Sequence, residues 1–168
     1  MGRIEIETEI MQENLCELRK IAGWTAEELG DKLGVTKQTI SNIETGKVQM
    51  SRVQYIATRA VFECEIYLSE ENTTLQKVMG VLFCGDNSIY KANKEEIRLA
   101  LVSIASTAAA GIGHLQLFSV AVALLASFER LSNTNISLNS EPSMKWLTDL
   151  LSEKTEEDKN AFSCRRKP

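Results

Sequence analysis

Residues 24–47, WTAEELGDKLGVTKQTISNIETGK, carry two helix starts and two helix stops in quick succession, and few folds can absorb such punctuation. Thr25 and Glu28 stand at capping-box spacing. In that arrangement the cap hydroxyl accepts from the third helical amide and the carboxylate returns to the cap's own N–H. Gly34 is placed to end the helix, because glycine takes a left-handed backbone without steric penalty. Val35, Thr36 and Ile40 then repeat the order of apolar residue, cap and apolar partner, and Gly46 supplies the second stop. Two short helices joined by a turn of about three residues are the expectation.

The same local chemistry continues on either side. Met11, Leu15, Leu18 and Ala22 make the apolar stripe of a first helix over residues 8–22, with Gly23 to end it. Ser51 and Gln54 form another capping box, Met50 and Tyr55 its staple, and Trp24 stands as staple to Leu29 in the second helix. The fourth helix, from residue 52, shows Val53, Ile56, Ala57, Ala60 and Val61 on its expected inner side and continues through residues 62–68. Further along, residues 74–85 read as a short apolar helix and 86–93 as a loop. Residues 93–111 read as a helix opened by Asn93 and Glu96, with Ile97, Leu101, Ile104 and Ala108 on one stripe. After the break at 111–114, residues 115–131 suggest the second arm of an antiparallel hairpin. A polar linker over 132–142 leads to a last amphipathic helix over 142–154. With only two prolines in 168 residues, the fold class is all-α.

Several chemistries find no footing. Cys16, Cys64, Cys84 and Cys164 are widely spaced and share the chain with a single histidine, His114, so neither a metal site nor a thiol redox pair is expected. Reduced thiols in the cytoplasm are the simpler reading, and the glutamate-rich beginning has no apolar signal core. Residues 80–88, GVLFCGDNS, lack the lysine and spacing of a phosphate cradle, and no nucleophile stands with a base. Neither an enzyme nor a cofactor is expected. Residues 99–128 contain no formal charge, a length that could span a bilayer. Polar residues dilute that run and GIGH divides it, so burial inside the protein and against a second copy is expected, with membrane insertion disfavoured.

The third helix poses the functional question. Ile40 and Ile43 share its inner face, whereas Lys37, Gln38, Ser41 and Asn42 point away from them. Residues 15–47 as a whole resemble the lambda-repressor and Cro type of helix-turn-helix, the Xre-like repressors, and the resemblance extends less sharply to about Leu68. It implies that Lys37, Gln38, Ser41 and Asn42 read base edges in the major groove, where amides suit adenine and lysine suits guanine. It also implies that Thr25, Thr36, Thr39 and Lys47 contact phosphates, and that Arg19 and Glu44 form a structural ion pair. The chain departs from the family at three places: Ala26 where many members carry a phosphate-contacting glutamine, Gly30 for a commoner alanine, and Phe62 for a helix-ending glycine. The last predicts a longer fourth helix.

The net charge of -4 gives no general basic coat. Residues 32–59 nonetheless hold Lys32, Lys37, Lys47, Arg52 and Arg59 against the single acid Glu44, a locally positive window. The expected organisation is a DNA-binding domain over 1–68, a helical region for dimerisation or partner binding over 69–157, and a disordered tail over 158–168. The expected partners are double-stranded DNA with a near-palindromic operator and a second copy of the chain. A competing expectation is an antitoxin-like or adaptor module whose C-terminal hairpin binds another protein, and a third is a membrane-tethered regulator.

Overall fold

The computed structural model describes residues 2–68, 73–83, 87–110, 123 and 146–148. The fold is all-α. In chain order the helices are α1 (Arg3–Ile21), α2 (Ala26–Leu33), α3 (Lys37–Glu44), α4 (Arg52–Leu68), α5 (Thr73–Phe83), α6 (Asn87–Ala92) and α7 (Lys94–Ala110). The chain divides into two compact units, Met1–Leu138 and Asn139–Pro168. In the second unit residues 146–148 are helical. The expected hairpin arm over 115–131, the linker over 132–142, the last helix over 142–154, His114 and the tail over 158–168 lie outside the described residues, apart from Ala123 and residues 146–148.

Helix α1 is the centre of the first unit, packing against α3, α4, α5 and α7. Its buried stripe contains Met11, Leu15, Leu18 and Ala22, joined by Ile10 and Ile21. The helix begins at Arg3, several residues before the expected start, and its buried face extends back to Glu7. A buried carboxylate interrupts the apolar pattern there, which is why the stripe starts too late when only apolar residues are followed. At the other end, Gly23 lies at φ 78°. Its N–H donates to Lys20 O (3.0 Å) and that of Trp24 donates to Arg19 O (3.0 Å), the paired bonds that close a helix across a left-handed residue.

The caps of α2 and α4 form as their sequences dictate. Thr25 Oγ1 accepts from Glu28 N–H (3.2 Å) while Thr25 N–H donates to Glu28 Oε2 (2.6 Å). Ser51 and Gln54 exchange the same two bonds at 3.2 and 2.8 Å. Trp24 stacks on Phe62, ring centroids 5.4 Å apart and planes 12° from parallel, with the Lys32 ammonium 4.6 Å from its centroid. Phe62 is thus a packing residue where a glycine would end the helix, and α4 continues to Leu68.

Two expectations are corrected. The buried positions of α4 are Tyr55, Thr58, Arg59 and Phe62, while Val53 is 75% exposed and Ile56, Ala57, Ala60 and Val61 are half-buried. The core face of this helix is polar. Arg59 Nη1 donates to Glu7 Oε2 (2.9 Å) and to the Tyr55 hydroxyl (2.6 Å), Arg59 Nε donates to Glu63 Oε1 (3.1 Å), and Arg3 Nε reaches Glu7 Oε1 at 2.8 Å. Tyr55 also donates to Glu7 Oε2, and the Arg59 guanidinium lies 5.1 Å from the Phe83 ring centroid. Burial holds the Tyr55 hydroxyl well above its ordinary pKa, so it stays protonated and donates.

The second correction is α6, which occupies the stretch expected to be loop. Its Tyr90 is buried, accepting from Asn14 Nδ2 (2.9 Å) and donating to Glu13 Oε2 (3.1 Å), while Lys94 Nζ bridges to Glu13 Oε1 at 2.6 Å. Tertiary anchoring overrides the turn-like composition of this segment. On α7, Ile97, Leu101 and Ile104 are buried as the stripe requires, joined by Ala100 and Ala105, whereas Ala108 is exposed. None of the helices among the described residues is long and apolar enough to cross a membrane.

Candidate nucleic-acid interface

Helix α3 presents one face inward and one outward. Ile40 and Ile43 are buried against the core, each contributing roughly 1.5–3 kcal/mol by leaving water. Thr36 caps it, its Oγ1 accepting from Thr39 N–H (3.2 Å) and lying 3.0 Å from Thr39 Oγ1. On the opposite side Lys37 and Gln38 are exposed and Ser41 and Asn42 half-buried. Gln38 Nε2 donates to Asn42 Oδ1 over 2.9 Å, so the two amides stand as a joined pair one helical turn apart.

Two contacts set the tilt of α3, and a third ties down the segment that follows it. Gly30 on α2 is buried, and a Cβ there would lie 2.7 Å from Val35 O, so the missing side chain is what lets α2 meet the turn closely. Arg19 on α1 grips Glu44 at the end of α3 with two parallel bonds, Nε to Oε1 at 2.6 Å and Nη2 to Oε2 at 3.2 Å, while Nη1 donates to Trp24 O (2.8 Å). The hydrogen bond to Glu44 raises the Arg19 pKa further, and a bidentate fork of this kind fixes orientation as well as distance. The third contact, Gln12, escaped the sequence reading. Its Nε2 donates to Ile43 O (3.0 Å) and Val48 O (2.8 Å), and its Oε1 accepts from Met50 N–H (2.9 Å). A polar residue at the flank of an amphipathic helix carries no signal of such partners.

The expected phosphate-side residues surround this face. Thr25, Thr36 and Lys47 are exposed and Thr39 half-buried. At the start of α2 the Thr25 amide is occupied by Glu28, and the carboxylates of Glu27 and Glu28 stand exposed in the first turn. The positive window is smaller than composition suggests. Arg59 is 3% exposed and spent on Glu7 and Glu63, and Lys32 covers Trp24 at 4.0 Å from Glu65, although the window's one acid, Glu44, is itself paired with Arg19. Lys37, Lys47 and Arg52 remain as exposed cations around α3.

Residues 17–52 match the family model described as helix-turn-helix, of the Cro and Xre-like type. The match covers residues 17–52 alone and suggests a DNA-binding regulator of transcription. No curated protein and no solved structure matches the chain.

Proposed function

We propose that this chain is a cytoplasmic, sequence-specific regulator of transcription, a repressor, that reads the major groove of double-stranded DNA as a dimer. The observation that carries the reading is the outer face of α3: Lys37, Gln38, Ser41 and Asn42 offer an ammonium, two amides and a hydroxyl on a helix held in place by α1 and α2. Side-chain amides can bond bidentately to adenine and lysine to the O6 and N7 of guanine. Thr25, Thr36, Thr39 and Lys47 take the sugar–phosphate backbone, which positions the protein without distinguishing sequences.

Dimerisation through the C-terminal helices gives two recognition helices about 34 Å apart and a near-palindromic operator with half-sites about one turn apart. On α7, Leu99 (67% exposed) and Val102 supply apolar surface that supports a contact role for this region. The same surface supports the competing reading of an antitoxin-like or adaptor module. Selection of bound duplexes from a random pool by the full-length protein tests the proposal. Enrichment of a near-palindrome is the expected result. Co-purification of a stoichiometric protein partner, with no duplex retained at low salt, favours the adaptor.

A further inference from the structure

We infer that Gln12 is the positioning residue for the backbone-contacting segment that follows α3, holding Lys47 at its phosphate through main-chain clamps on either side; the inference rests on the DNA-reading function proposed above. Residues 45–50 between α3 and α4 are all exposed except Met50, and they include Gly46 at φ 70°. Such a segment has little side-chain packing to fix it, and main-chain bonds from Gly46 N–H to Ile43 O (3.0 Å) and from Val48 N–H to Asn42 O (3.1 Å) tie it to α3. The Gln12 carboxamide adds a second constraint, from α1, taking Ile43 O before Lys47 and both Val48 O and Met50 N–H after it. Together with those main-chain bonds, the Gln12 bonds fix where the Lys47 backbone stands relative to α3.

The chemistry is specific to this side chain. Two main-chain acceptors and one donor face position 12, and a carboxamide of this length supplies two N–H donors from one atom and an acceptor from the other. Glutamate is nearly the same shape but turns an oxygen toward two carbonyls. Methionine fills similar space and bonds to none of the three. Neither change alters Gln38 or Asn42, so base preference should survive while the phosphate contact fails.

The test uses the full chain and a duplex selected from the random pool, with affinity measured by fluorescence anisotropy across a salt series. Wild type, Gln12→Glu, Gln12→Met, Lys47→Ala and the Gln12→Met, Lys47→Ala double variant are compared, with circular dichroism melts for each. One lost phosphate contact lowers the slope of log K against log salt by about 0.9. Both Gln12 variants are expected to bind more weakly and to lose about that slope, matching Lys47→Ala, with no further fall in the double variant and an unchanged selected motif. A wild-type slope in the Gln12 variants overturns the inference, as does their unfolding at the assay temperature, because Gln12 then supports the fold as a whole. If wild type itself retains no duplex, the DNA-reading function falls first and separately.

Discussion

Gln38 and Asn42 are hydrogen-bonded to each other across one turn of α3, Nε2 to Oδ1 at 2.9 Å, so the two proposed base readers present themselves as a single preorganised unit. Each variant, Gln38→Ala or Asn42→Ala, is expected to cost on the order of 1–3 kcal/mol at its own base. Because each residue also orients the other, the double variant should lose less than the sum. A double-mutant cycle on the selected duplex measures this, and strict additivity would mean that the amides read independently.

Gly30→Ala is expected to destabilise the fold. The new methyl would sit 2.7 Å from the main-chain oxygen of Val35, and such overpacking costs about 1–3 kcal/mol. The gain in helix propensity, about 1 kcal/mol, opposes this only in part. Urea denaturation reads the outcome as a lower midpoint; a higher midpoint would show that α2 and the turn before α3 part freely.

The Glu7–Arg59 pair joins α1 to α4 inside the core, with both side chains 4% exposed. Removing Glu7 takes one carboxylate from the buried Arg59 guanidinium, which keeps Glu63, so Glu7→Met alone should cost up to about 3–5 kcal/mol. Replacing both residues with methionine should restore much of the loss. Thermal melts of the single and double variants distinguish this from simple loss of volume, which would leave the double variant the less stable.

Burial, with Glu13 beside it, pushes the Tyr90 hydroxyl up to about 12 from an ordinary 10.0. The folded state therefore keeps a proton that the unfolded chain releases. Its contribution is fully present below pH 10 and is lost as pH rises from about 10 to about 12. Tyr90→Phe should flatten the stability profile in that window relative to wild type. Parallel profiles for the two proteins would show that Tyr90 ionises as freely in the fold as outside it.

The elements legible in advance are those whose chemistry is local. Thr25 with Glu28, Ser51 with Gln54, and the glycines at 23, 34 and 46 are read within a few residues of one another, and each acts in the structure as a cap or a left-handed stop. The face of α4 was illegible because its core is polar: Arg59 and Thr58 are buried where an apolar pattern points to Val53. Helix α6 was hidden because Tyr90 is anchored by Asn14, 76 residues away. Gln12 likewise depends on main-chain groups 31 to 38 positions distant, and a lone glutamine gives no hint of them.

The central claim, that the outer face of α3 reads bases, is tested most directly by comparing motifs selected from a random duplex pool by wild type and by Asn42→Ala. The account predicts a near-palindromic wild-type motif, and in the variant the loss of preference at one base per half-site with its neighbours retained. An identical motif from both proteins would contradict it.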